Sequence, residues 1–292
     1  MSYASEQICI SVVIPCYNSG HYLLEAIASV EQYPKHSICE IIIVNDGSDN
    51  QETISVLASL QSKGYKIYHQ DNKGPAGARN TGVRHANGAY VLLLDSDNRI
   101  RPEYISTGIR ILDENPEVGV VYGNPCFFGE LGEERFGKAE PFDMTRLIVD
   151  NYIDNCSVIR KKVWEEVGGF DEARILFGLE DWEFWLRVGQ THWRFQPVDE
   201  VLFDYRLRQG SMITQVAARH LDALRYMHIK HQSLYIDNLH ILHQQLLDIR
   251  YLLSKSMKKT QRLELQYQAF KNSLLALAKA LTKNLVKRIV RL

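Results

Sequence analysis

The stretch VLLLDSDN, residues 91–98, sets four aliphatic residues directly before two aspartates, Asp95 and Asp97. Such a run reads as a strand buried on both faces. A buried strand tolerates carboxylates only at its end, where the chain meets water or a cation. Residues i and i+2 of an extended strand point the same way, so Asp95 and Asp97 can converge on one divalent ion. A plain strand-end turn uses the same residue types, because Asp and Asn favour turns. The choice between these readings depends on what else reaches the same place. Two other polar clusters also follow apolar runs: PCYN at 15–18 and NDGSD at 45–49.

The elements that must position these clusters follow from periodicity. Apolar runs predict strands at 8–14, 39–46, 65–70 (YKIYHQ) and 89–95 (AYVLLLD). Between them, helical spacing predicts helices over 19–32, with Ser19 as N-cap, over 49–64, closed by Gly64, and over 74–88, opened near Pro75 and closed by Gly88. This βαβαβαβ alternation implies an α/β fold with a mainly parallel sheet and helices on both faces. Ligands of such sheets bind beyond the carboxyl ends of the strands. All three polar clusters fall at those ends, so they are expected to face one crevice.

After residue 100 the alternation loosens. A helix is expected over 101–116 and a strand over 117–123, followed by an exposed, mobile loop (FFGELGEERFGKAEP, 127–141). Helical signals return near 143–150 and 160–167. GLEDWEFWLRVG, 178–189, reads as a helix with acidic residues in its first turn, and 193–212 as extended chain. From about 214 onward nearly every residue fits helical spacing.

The composition narrows the function classes. A net charge of −1 carries no nucleic-acid signature, and 45% apolar residues suffice for a sizeable core. Five cysteines without CxxC spacing fit a reduced cytosolic chain better than a disulfide framework or a zinc site. The first residues lack the basic start of a signal peptide, and no run approaches the length of a membrane span.

Taken together, the motifs resemble those of the family 2 inverting glycosyltransferases, which have the GT-A fold. The matching segments are VVIPCYN (12–18), IIIVNDGSDN (41–50), GPAGARNTG (74–82), LLLDSDN (92–98), GGFDE (168–172), EDWEFWLR (180–187) and YRLRQGSM (205–212). They span roughly residues 8–215, and seven in order are far more specific than any one of them. The resemblance implies a catalytic domain over 1–213, with a nucleotide-binding half to about 100 and an acceptor half over 101–213, then a helical extension over 214–292. It implies a nucleotide-sugar donor, by family bias a UDP-sugar, and transfer of a hexosyl or N-acetylhexosaminyl group with inversion. Pro15, Tyr17, Asp46, Arg79, Asn80, Asp95 and Ser96 are then expected at the donor, Tyr17 against the base and Asp46 at a base N–H or ribose hydroxyl. Asp97, with Asp95, is expected to hold Mn²⁺ or Mg²⁺ at the diphosphate, where oxygen ligands suit such ions. Asp181 falls at the family's base position. A carboxylate beside Glu180 in a partly closed site has a raised proton affinity, which suits a base. Glu180 and Trp182 are expected near the acceptor, and Trp185 in the core.

The chain departs from the family at one place. Many relatives have a histidine in a Tyr-Arg-x-His segment that can bind the metal; here the position is Arg208. An arginine cannot ligate a cation but can clamp a diphosphate. A nucleotidyltransferase is the competing enzyme class, yet PCYNSGHY does not look like its Gly-rich, Arg-containing first loop. A non-catalytic nucleotide-sugar-binding protein is the other alternative, and the intact Asp46, Asp95, Asp97 and Asp181 argue against it.

The C-terminal tail differs in charge. Residues 255–292 hold ten Lys/Arg and one Glu. In SLLALAKALTKNLVKRIVRL, 273–292, Leu274, Leu277, Leu281, Leu285, Ile289 and Leu292 share one helical stripe, and Lys279, Lys283, Lys287 and Arg291 another. A basic amphipathic helix reads either as a peripheral contact with the inner face of a membrane or as a helix packed on protein. A cytoplasmic enzyme of cell-surface polysaccharide synthesis with a glycan or lipid-linked acceptor would use the former.

Overall fold

A computed structural model describes residues 7–130, 135–208 and 220–256, apart from 245, 246, 249 and 253. The nucleotide half forms as expected. Strands β1 (Ile10–Cys16), β2 (Cys39–Asp46), β3 (Lys66–Gln70) and β4 (Tyr90–Leu93) are parallel, in the order β3-β2-β1-β4. Helices α1 (Gly20–Glu31), α2 (Gln51–Ser62) and α3 (Gly74–His85) connect them. Ile10, Val12, Val13 and Ile14 of β1 and Val91, Leu92 and Leu93 of β4 are fully buried, which explains their unbroken apolar runs. Gly82 of α3 shows how closely helix and sheet approach, since a Cβ there would lie 2.3 Å from Val13 Cγ1. Ser19 does not cap α1 through its side chain; Asn50 does cap α2, accepting from the Thr53 N–H at 2.9 Å.

The second half adds β5 (Arg99–Ile100), α4 (Glu103–Glu114), β6 (Val118–Gly129), β7 (Arg135–Phe136), α5 (Met144–Leu147), β8 (Val158–Arg160), α6 (Lys161–Glu166), α7 (Glu180–Val188), β9 (Arg194–Leu207) and α8 (His220–Lys230). Strand β8 runs antiparallel between β4 and β6, and β9 pairs parallel with β6, so one sheet of nine strands among the described residues joins both halves. Two expectations are corrected here. The strand expected over 117–123 continues to Gly129, through the start of the expected mobile loop, and part of that loop, Arg135–Phe136, pairs with it as β7. Three-residue β8 is too short to leave a period-2 signal.

The first compact unit extends to Gln232. The reason lies in α8 and the residue after it. Lys230 Nζ reaches Asp171 Oδ2 at 2.6 Å and Glu183 Oε1 at 2.7 Å, and His231 Nε2 lies 3.0 Å from the same Glu183 oxygen. Helix α9 (Gln232–Asp237) begins on the last residue of the first unit, and the second, Ser233–Leu292, is mostly helical as far as it is described. The tail over 273–292 lies outside the described residues. No helix among the described residues is long and apolar enough to cross a membrane.

Candidate active site

The carboxyl ends of β1, β2 and β4 meet as the alternation requires. At the end of β2, Gly47 turns the chain with φ +73°, and a Cβ there would lie 2.8 Å from the Asn72 nitrogen. Asp46 is buried beside this turn. Its Oδ1 accepts from Gln70 Nε2 at 2.7 Å and from the Lys73 N–H at 2.9 Å, and its Oδ2 from the Gly74 N–H at 2.9 Å. The carboxylate thus fixes the entry to α3. Tyr17 is half exposed just past β1, after the partly buried Pro15. Ser96 is buried, its hydroxyl 2.7 Å from that of Ser19.

Arg79 and Asn80 point into the protein. Arg79 is 2% exposed, with Nη2 2.7 Å from Asp95 Oδ1 and Nη1 2.6 Å from Glu180 Oε1. With the Asn155 amide turned so that its oxygen faces the guanidinium, it accepts from Arg79 Nε at 3.0 Å and Nη2 at 3.2 Å. Burial works against the arginine's charge, but Asp95 and Glu180 outweigh it and raise its pKa. This ion pair ties α3 to α7, and Arg79 lines a cavity together with Asp95 and Glu180. Asn80 donates to the Phe170 carbonyl and to Glu172 Oε1, both at 2.8 Å, and its Oδ1 accepts from Trp164 Nε1 at 2.9 Å. It anchors the GGFDE segment.

The metal question turns on Asp95 and Asp97. Both line a cavity of about 710 Å³ that also receives Glu180 and Asp181. Asp97 Oδ2 accepts from Arg208 Nε at 2.8 Å. Burial and the charge of Asp95 raise the Asp97 pKa, while Arg208 lowers it. Among the described residues no three His, Cys, Asp or Glu side chains gather as a complete metal cage. Two carboxylates, each engaging a protein cation through only one oxygen, still fit Mg²⁺ or Mn²⁺, which are commonly held by one or two carboxylates plus substrate phosphates.

Asp181 stands in the first turn of α7. Its Oδ1 accepts from the Trp182 N–H at 2.7 Å and its Oδ2 from Asn151 Nδ2 at 3.0 Å. Burial, then the neighbouring charge of Glu180, pushes its pKa well above the usual carboxylate range, and Arg79 opposes this. Trp182 is 2% exposed and donates from Nε1 to the Leu147 carbonyl at 2.6 Å, so its indole is packed but still borders the cavity. Trp185 is core.

Sequence reasoning passed over Asn151, Asp154 and Asn155. Asp154 lines the same cavity, and burial raises its pKa to about 7. Their only signal was a run of polar residues in NYIDNC, which periodicity does not interpret.

A curled, mostly parallel sheet with carboxylates gathered at its strand ends, beside an acidic helix start, is the arrangement of the GT-A fold. The pattern described as Glycosyl transferase family 2 matches residues 11–168, and the chain belongs to that family. It is 40% identical over 198 residues to an uncharacterized glycosyltransferase of Rickettsia felis, covering 63% of this chain and 32% of the relative. It is 38% identical over 117 residues to the glycosyltransferase GlyG of Streptococcus pneumoniae, covering 39% of this chain and 38% of that one. The chain thus spans well under half the length of these curated relatives. Among solved structures, S. aureus TarS 1-349 in complex with UDP-GlcNAc superposes with a TM-score of 0.59 at 21% identity, over 76% of this chain and 66% of that one. The mannosyltransferase PcManGT from Pyrobaculum calidifontis, in complex with GDP-Man and Mn²⁺, gives 0.58 at 17%, over 82% and 72%. At these identities the likeness concerns the fold.

Proposed function

We propose that the protein is an inverting glycosyltransferase that moves a hexosyl or N-acetylhexosaminyl group from a UDP-sugar to a hydroxyl of a glycan or lipid-linked acceptor. The observation that carries this reading is the shared cavity: Asp181, with raised proton affinity, faces the same space as Asp95 and Asp97. In this reading Asp181 takes the acceptor's hydroxyl proton. The acceptor oxygen forms a bond to the anomeric carbon from the face opposite the diphosphate. The anomeric carbon–oxygen bond breaks, its electron pair leaves with the nucleoside diphosphate, and the configuration inverts. Asp95 and Asp97 would hold Mn²⁺ or Mg²⁺, which supplies positive charge against the departing diphosphate when bound.

This chain's own residues do the rest. Arg79 fixes Asp95 and Glu180 relative to each other, and Asn151 orients the base. Arg208, beside Asp97, is placed to contact the diphosphate. Tyr17 offers an exposed ring to the base, Pro15 borders it, and Ser96 braces the loop that carries Asp95. Asp46 and Asn80 act on the donor by holding the entry of α3 and the 168–172 segment. We place the enzyme in the cytoplasm, in polysaccharide synthesis for the cell surface, with its basic tail on the inner face of the membrane. The test is turnover: free nucleoside diphosphate measured across a panel of nucleotide sugars and acceptors, with the product's anomeric configuration read by NMR. No release from any donor, with nucleotide-sugar binding retained, would favour a non-catalytic binding protein.

A further inference from the structure

We propose that the acceptor carries a phosphate group, bound at the cavity mouth by Arg135 and Lys138. The proposal rests on the glycosyltransferase reading and narrows its acceptor.

Five cations line the cavity of the carboxylate cluster, and three are already used. Arg79 is held by Asp95 and Glu180, and Arg208 by Asp97. Arg206 pairs with Glu25 at 2.6 Å and lies between the rings of Tyr22 and Phe128, 4.5 and 4.4 Å from their centroids. Arg135 and Lys138 are exposed and form no ion pair with a carboxylate among the described residues, Asp150 of the same lining included.

The Arg135 guanidinium and the backbone that carries Lys138 are held in place. Arg135 pairs across β7 with Phe127 of β6, and its guanidinium sits 5.0 Å over that residue's ring. The chain on either side of Lys138 is fastened by Gly137 N–H to the Pro125 carbonyl at 2.9 Å and by Ala139 N–H to Asn124 Oδ1 at 2.6 Å. Two like charges lining one cavity favour an anion there. A guanidinium beside an ammonium suits phosphate, one as a fork and the other as a point charge.

The donor's own diphosphate belongs elsewhere. Asp95 and Asp97 follow β4, and Arg208, which holds Asp97, follows β9 along one edge of β6, whereas Arg135 lies on β7, which pairs with β6 along its other edge. A second anion site on the acceptor half therefore reads the acceptor.

The experiment measures UDP release by the full-length protein from its best-hydrolysed nucleotide sugar, with acceptors offered in matched pairs. One pair is a glycerol-phosphate oligomer and glycerol; the other is a polyprenyl-diphosphate-linked glycan and the same glycan free. The phosphate-bearing member of one pair should accelerate release about tenfold or more over its neutral match, the scale of one charge-assisted contact. Which pair responds identifies whether the phosphate lies in a polymer or in a lipid link. R135A/K138A should erase that preference by raising the acceptor KM, with the donor KM and acceptor-free hydrolysis unchanged. Equal use of neutral and phosphorylated members, a preference that survives the double substitution, or a raised donor KM would each overturn the proposal. An absence of UDP release from every donor would instead remove the glycosyltransferase reading on which it stands.

Discussion

Asn151 donates from Nδ2 to Asp181 Oδ2 at 3.0 Å, across the cavity wall from the loop before β8 to the first turn of α7. The contact fixes the carboxylate's orientation and favours its charged form. It links the residue that sequence reasoning selected as base to one that it passed over.

The first prediction concerns that base. Asp181→Asn should lower transfer by roughly 10²-fold or more, the usual scale for a lost general base, with donor affinity almost unchanged. Stopped assays with saturating donor check this, and near-normal turnover would remove Asp181 from the mechanism.

A pH profile tests the same site independently. The base must be unprotonated to act, and burial with Glu180 raises its pKa. The acidic limb of kcat should therefore lie above the usual carboxylate range, with activity rising as pH rises through it. Asn151→Ala removes a donor to the charged form and should move that limb further up.

For the metal, Asp97→Ala should abolish Mn²⁺-dependent donor binding measured by calorimetry. If the wild type binds UDP equally with Mn²⁺ and with a chelator, the metal assignment is wrong and Arg208 becomes the leading diphosphate contact.

Glu183 yields a stability prediction. Its side chain is fully buried, and although burial opposes ionisation, His231, Arg187 and Lys230 hold its pKa down at about 2. A depressed carboxylate pKa stabilises the fold above the unfolded-state value near 4.5, and that contribution is lost as pH falls toward 2. The shift corresponds to about 3 kcal/mol at neutral pH. Glu183→Gln should lower the urea-unfolding free energy by that order at pH 7, and by clearly less at pH 3. An equal loss at both would mean that packing rather than charge is at stake.

The tail is tested by truncation. Attraction of a basic face to anionic lipid contributes about 1 kcal/mol per Lys or Arg near the surface and weakens with salt. Removal of residues 270–292 should abolish salt-sensitive binding to anionic vesicles and leave the melting temperature unchanged. Aggregation of the truncated protein would mean that the tail packs on protein instead.

The sequence by itself determined the nucleotide half. Strands buried on both faces write unbroken apolar runs, and parallel connectivity forces their carboxyl ends to one side, so PCYN, NDGSD and DSD had to meet. It also determined that Asp95, Asp97 and Asp181 belong together, because seven ordered motifs are specific. Only the tertiary structure decided what each charge touches. Arg79 lies 101 positions before Glu180, and nothing local foretells that its guanidinium turns inward to pair with it. Asp46 is spent on backbone N–H groups of the next loop, and Lys230 reaches back to Asp171 and Glu183. Local pattern reports which face of an element is apolar; it does not report which buried charge finds which partner. That choice is settled by desolvation, which leaves a buried charge no stable state until a chain segment far away in sequence supplies its counter-ion.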